Sequence, residues 1–161
     1  MKPFKLPALM CALLMVIANG VCAANEGDGE RFRQIYEKEW EFRTREFPSL
    51  AFYSGLDGYA DKLGHVSEQD QRRRYDFWKG IRAELDEISC QRLDREDCIN
   101  YRIFTRQMDD FIAGYETRSY LVPFNSDWGF YMGWIRMPSE SNFSKIDDYR
   151  NYLSKLHQLP V

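Results

Sequence analysis

The sequence predicts an all-α fold, a bundle of about four amphipathic helices with one aromatic non-helical loop. Two observations carry that reading. Four segments repeat apolar residues at steps of three and four, and proline, glycine and capping residues stand where those segments begin and end. A third observation is composition: apolar residues make up 44% of the chain and aromatics alone 16%, enough bulk to close a core.

The first helix is expected from about Gly29 to Glu46, where Phe32, Ile35, Tyr36, Trp40 and Phe47 keep near a helical spacing and Arg and Glu fill the other face. Pro48 ends it, because the residue before a proline is pushed out of the helical region. The stretch EFPSLAFYSGLDGYADKLG, Glu46 to Gly64, reads as a structural corner. Gly55, Gly58 and Gly64 permit turns there, and Leu50, Phe52, Tyr53, Leu56 and Tyr59 are expected to pin the connection onto neighbouring helices.

A second helix starts at Ser67, which with Asp70 resembles a capping box, and carries Tyr75, Trp78, Ile81, Leu85 and Ile88 on one stripe. Within it, QRRRYDF places Arg72, Arg73 and Arg74 in succession. Consecutive helical residues diverge, so these read as a solvated face pairing with nearby acids rather than as a phosphate grip. The third helix starts near Asp94 and repeats Cys98, Tyr101, Phe104, Met108, Phe111 and Tyr115. The fourth, Ser144 to about Leu159, aligns Ile146, Tyr149, Leu153 and Leu156 before Pro160. Between these two lies LVPFNSDWGFYMGWIRMPSESNF, punctuated by Pro and Gly, which reads as a loop or short hairpin. Aromatic stripes at helical spacing are read as core, not as stacking platforms.

The amino terminus reads as an export signal. Lys2 and Lys5 precede an apolar run from Leu6 to Ile17, too short for a bilayer span, and Val21, Cys22 and Ala23 suit a signal peptidase. Cleavage is expected after Ala23, with Ala24 the second choice, giving a signal over residues 1–23 and a helical region over 24–161. The alternative of a lipidated Cys22 meets the bulk of Val21 just before it. A periplasmic or secreted protein follows, with no membrane span after cleavage. Removing residues 1–23 takes away Lys2 and Lys5 and no acid, which leaves 20 basic against 25 acidic residues, a formal charge of −5. Such a balance gives no electrostatic reason to expect nucleic acid as a partner.

In an oxidising compartment Cys90 and Cys98, in SCQRLDREDC, can pair. On one continuous helix, eight residues at about 1.5 Å rise would hold them roughly 12 Å apart, too far for a disulfide. Asp94 reads as the cap of a new helix that lets the chain turn back, so a disulfide stapling the second helix to the third is the expectation; two buried free thiols are the alternative. Zinc on these cysteines is disfavoured, since His65 and His157 are not at ligand spacing with them. No catalytic residue is assigned: H-E-x-x-H, G-x-S-x-G and a phosphate-cradling glycine loop are all missing. The pairs Asp109-Asp110 and Asp147-Asp148 diverge as helical neighbours and read as solvated.

In order, EFPSLAFYSGLDGYADKL, LDREDCINYRIF, VPFNSDWGFYMG and KIDDYRNYLSKLHQLP resemble the amino-terminal part of the bacterial domain-of-unknown-function 885 family, over essentially all of the chain after its signal. FNSDWGF followed by DDYRNYLSKL is the most telling pair. That family is similar to exported, mainly helical, zincin-type metallopeptidases with zinc held on a later helix bearing His-Glu and a nearby Gly-His. The resemblance implies an amino-terminal region of a larger helical protein, with zinc and a peptide substrate in the full-length relatives. This chain stops at Val161, before any such helix, so no cofactor or metal residue is carried over and the chain alone is expected to be inactive. Amino-terminal helices of such enzymes wall the substrate channel. By that analogy Asn125, Trp128, Tyr131 and Trp134 are the possible substrate-facing residues, the alternative being rings that fill space between the third and fourth helices. The alternative from another class is a non-catalytic periplasmic binding or interaction module, a role that an aromatic loop on a stapled bundle would serve.

Overall fold

The computed structural model describes residues 9–122, 131–141 and 143–159, as backbone alone at 9–26, 131, 134 and 140. Among the described residues six α-helices follow one another: α1 (Leu9–Glu46), α2 (Pro48–Tyr53), α3 (Glu68–Asp86), α4 (Arg95–Glu116), α5 (Tyr131–Glu140) and α6 (Ile146–His157). Short 3-10 turns at Cys90–Arg92 and Ser119–Leu121 complete the order, and no strand occurs among the described residues. The all-α expectation holds.

Helix α1 begins at Leu9, twenty residues before the expected start at Gly29. Its first half is rich in Leu, Met and Ala, good helix formers, and contains no proline. Amphipathic periodicity says nothing about a segment that is apolar all round, which is why the expectation began too late. Among the described residues no helix is long and apolar enough to cross a membrane. The helix stops where Phe47, preceding proline, leaves the helical region at φ −124° and ψ 78°. Pro48 then opens α2 at its first position, where a missing N–H costs nothing.

The corner that follows is built differently from the expectation. Pro48 and Ala51 are buried in it, whereas Phe52, Tyr53 and Leu56 are exposed. A short helix lying close on α1 has room inward only for small residues, so the large ones turn out. Gly55 and Gly58 take φ of 77° and 81°, the left-handed region that glycine enters without strain.

Helix α3 starts with the expected capping box. Ser67 Oγ accepts from the Asp70 N–H at 3.2 Å, and Asp70 Oδ2 accepts from the Ser67 N–H at 3.1 Å. The Ser67 hydroxyl, with help from Arg73, draws the Asp70 carboxyl down to about 2. Replacing Ser67 by alanine is expected to cost about 1 kcal/mol at neutral pH. A depressed carboxyl stabilises the fold above its ordinary value and loses that contribution as pH falls towards 2, so the penalty should shrink between pH 7 and pH 3. Urea melts of both proteins at the two pH values measure it; a constant penalty would count against this coupling.

Helices α1, α3 and α4 enclose the core of Phe32, Ile35, Trp78, Ile81, Leu85, Ile88, Leu93, Phe104 and Met108. The stripes expected on the second and third helices therefore supply most of it. The three-arginine face is only partly solvated: Arg72 and Arg73 are exposed, but Arg74 is buried. Its guanidinium lies over the Phe47 ring, 4.5 Å from the centroid, and donates to Glu46 Oε2 at 2.9 Å and to the His65 carbonyl at 2.6 Å. Divergence of consecutive residues is the reason; one of three must point inward, and the end of α1 offers it acceptors. Burial raises the Glu46 carboxyl, but hydrogen bonds from Arg73 and Arg74 outweigh that and hold it below the ordinary value.

Cys90 and Cys98 form a disulfide, their Cα atoms 4.9 Å apart. Leu93 is extended, and Asp94 caps α4 by accepting from the Asp97 N–H at 2.8 Å, so the chain does turn back between the cysteines.

Two findings concern the carboxy-terminal third. First, the expected loop contains α5, with Pro138 inside it. Pro138 sits near the end of a ten-residue helix, where only one backbone bond is forfeited, and treating Gly133 and Pro138 as breakers hid the helix. Second, α6 presents its apolar stripe to solvent: Ile146, Tyr149, Leu153 and Leu156 are 66%, 51%, 53% and 36% exposed. Its half-buried residues are instead Asp148, Asn151, Tyr152, Ser154 and Lys155. Gln158 anchors the end of the helix, accepting from the Leu63 N–H at 3.0 Å and donating to the Asp61 carbonyl at 2.7 Å. Lys155 lies over the Phe52 ring, and burial lowers the affinity of its amine for a proton. Among the described residues no other helix packs along α5 or α6.

Candidate functional site

Between the outer faces of α1 and α4 runs an open groove of about 370 Å³. Phe32, Arg33, Tyr36 and Arg43 line it from α1, and Asn100, Ile103, Phe104 and Gln107 from α4. The phenyl rings of Phe32 and Phe104 also belong to the core, so the floor of the groove is the edge of that core. Tyr36 packs edge-on to Phe104 with centroids 5.3 Å apart, and Ile103 is 65% exposed on the rim.

One end of the groove rests on a buried ion pair. Glu39 follows Ile35 by four residues and precedes Phe42 by three, so it occupies a core position of α1 and is fully buried. Its Oε1 accepts from Trp78 Nε1 at 3.2 Å. Oε2 lies 3.2 Å from Arg43 Nη2 but without hydrogen-bond alignment, so that oxygen has a charge beside it and no hydrogen bond. Burial pushes the Glu39 carboxyl up, opposed by the Arg43 charge and the Trp78 hydrogen bond. Arg43 in turn is held between rings, 5.5 Å from the Trp40 centroid and 5.8 Å from that of Phe111, with its buried Nε unpaired. The pair fixes a guanidinium at the groove. It does not form an acid/base dyad, since a carboxylate with no exposure meets no ligand.

Of the residues expected to face a substrate, Asn125 and Trp128 lie outside the described residues. Tyr131 and Trp134 belong to α5, described as backbone alone. The paired carboxylates are used locally: Asp109 accepts from Arg82 and Asp110 from Arg106, while Asp147 pairs with Arg150 and Asp148 caps α6. Among the described residues no group of three His, Cys, Asp or Glu is arranged to hold a metal ion.

A family model described as "Bacterial protein of unknown function (DUF885)" matches residues 48–161. The chain belongs to the DUF885 family. The match opens at Pro48, the first residue of α2, so the resemblance is narrower than the whole chain after its expected signal. Consequently the groove has one wall inside the DUF885 match, from α4, and one wall before it, from α1. No curated protein and no solved structure matches the chain.

The groove was not legible in the sequence. Its α4 wall uses Asn100, Ile103 and Gln107, which fall off the stripe that fills the core, and nothing in the spacing says that α1 stands beside them. Glu39 was findable: an acid in a stripe position with an arginine four residues on is the pattern of a paired buried carboxylate.

Proposed function

We propose that this DUF885 chain is an exported helical region of a metallopeptidase-like protein, one that helps to wall a substrate channel and is inactive alone. The observation that supports it best is α6, whose Ile146, Tyr149, Leu153 and Leu156 are turned outward. Apolar residues in a row at helical spacing are kept at a surface when something else covers or slides along them. The family resemblance implies zinc for the full-length protein, and among the described residues of this chain no group of three His, Cys, Asp or Glu is arranged to hold it. Incubating the purified chain with a peptide library and zinc should give no cleavage; zinc-dependent cleavage would overturn the assignment. A photo-crosslinking peptide should label the segment from Asn125 to Trp134 or α6.

The α1/α4 groove favours a second reading, a non-catalytic periplasmic binding or interaction module. The coding sequence beyond Val161 discriminates them. An open frame with His-Glu followed by Gly-His fits the enzyme, and a stop codon fits the module.

A further inference from the structure

The hairpin of α3 and α4 is tied differently at its two ends. Partners pair in opposite order along the two helices, Tyr75 with Tyr115, Trp78 with Phe111 and Arg82 with Asp109, so α3 and α4 run antiparallel. The Cys90–Cys98 bridge closes the end where they join. At the open end stand stacked tyrosines. The Tyr75 and Tyr115 rings have centroids 4.5 Å apart and planes 24° from parallel, and Tyr120 also stacks on Tyr115, at 5.7 Å and 17°. Arg118, at φ 56° in the region that favours glycine, turns the chain back to bring Tyr120 there, and Ser119 Oγ holds the turn by donating to the Gly114 carbonyl at 2.9 Å. All three rings are half-buried, so none is sealed from solvent.

The groups around the stack decide its chemistry. Tyr75 donates its hydroxyl to Glu116 Oε1 at 3.0 Å, and the Lys79 ammonium lies 5.2 Å from the Tyr75 ring centroid. A phenol that loses an electron while keeping its proton becomes a cation, which the Lys79 charge disfavours. Loss of the proton together with the electron avoids that charge, and the Glu116 carboxylate stands where the proton leaves.

We infer that Tyr75 and Tyr115 form an oxidative modification site, at which a haem peroxidase and hydrogen peroxide join the two rings as dityrosine. Each phenol gives up one electron and one proton, Tyr75 passing its proton to Glu116. The two phenoxyl radicals couple through ring carbons ortho to their oxygens, and the hydrogens on those carbons return to the oxygens as the rings regain aromaticity. In balance, two phenols and one peroxide give one biphenol and two waters. The stack holds the radicals face to face, so coupling within the chain outruns encounters between chains. The product ties the open end of the hairpin as the disulfide ties the other. This inference rests on neither functional reading above.

The test treats the purified chain with a haem peroxidase and hydrogen peroxide, then follows dityrosine fluorescence and maps the cross-linked peptides by mass spectrometry. The main product should be a monomer in which the peptides holding Tyr75 and Tyr115 are joined and lighter by two hydrogens than their sum. Tyr75→Phe and Tyr115→Phe, which keep the rings and remove one hydroxyl each, should both abolish that product. Glu116→Gln, at an exposed position, should slow its formation at least about tenfold while the thermal melt stays unchanged. Exposure alone would instead select Tyr53 and Tyr149, which are far more open to solvent. Cross-links that run mainly through those two, a product joining Tyr115 to Tyr120, or a rate indifferent to Glu116→Gln would each overturn the assignment.

Discussion

Replacing Arg43 by alanine is expected to destabilise the chain by about 3–5 kcal/mol at neutral pH, and by clearly less at pH 5. The large value comes from what the substitution leaves behind. Glu39 has no exposure and, besides Arg43, one hydrogen bond, from Trp78 at 3.2 Å. Without the guanidinium its charge is buried with a single neutral donor. Burial already raises this carboxyl, and Arg43 is the larger of the two influences opposing it. The variant should therefore hold the carboxyl higher still. A carboxyl whose folded value is raised destabilises the fold progressively as pH climbs from the ordinary glutamate value through the folded one, because the unfolded chain gives up its proton first. Chemical denaturation from pH 5 to 8 should show the wild type falling gently and Arg43→Ala falling steeply. Adding Glu39→Gln should flatten the profile while leaving the pH-independent loss of the guanidinium's contacts with Trp40 and Phe111. An Arg43→Ala penalty that ignores pH would mean that Glu39 is solvated and the ion pair incidental.

Breaking the Cys90–Cys98 bridge is the second large effect. Its sequence separation is eight residues, for which the chain-entropy argument gives about 2.5 kcal/mol of stabilisation. In a domain of this size that corresponds to a fall of about 10 °C in Tm. The location makes the cross-link more than an ornament, since it closes the turn between α3 and α4, with Ile88 and Leu93 buried on either side of Cys90. Tyr101 reinforces the same turn by donating its hydroxyl to the Leu85 carbonyl at 3.1 Å. Cys90→Ser, Cys98→Ser and the double variant should all lose about the same amount, because each opens one bridge. Scanning calorimetry with and without reductant checks this. A wild type whose Tm does not move on reduction would show that the turn is held by its packing alone.

The two predictions sit on different parts of what could be read in advance. The bridge followed from a spacing and a capping aspartate, both local, and the Ser67 capping box and the stripes of α3 and α4 were legible for the same reason. Each depends on residues within a turn or two of one another. The corner after Pro48 was legible as a corner but not in its packing, where Ala51 rather than Phe52 or Tyr53 goes inside. Helix α5 was hidden by a proline that its position near the helix end makes harmless.

Sequence by itself determined the all-α class, the core faces of α3 and α4 and the resemblance to the DUF885 family, because periodicity, caps and short spacings are properties of the chain alone; it favoured the disulfide over two free thiols, and the structure closes it. Only the tertiary structure decided that α1 and α4 leave a groove between two arginines, that Glu39 and Arg74 are inside, and that α6 turns its apolar side outward. A stripe states that a face is apolar. Which neighbour, if any, covers it depends on how helices far apart in sequence come to lie together.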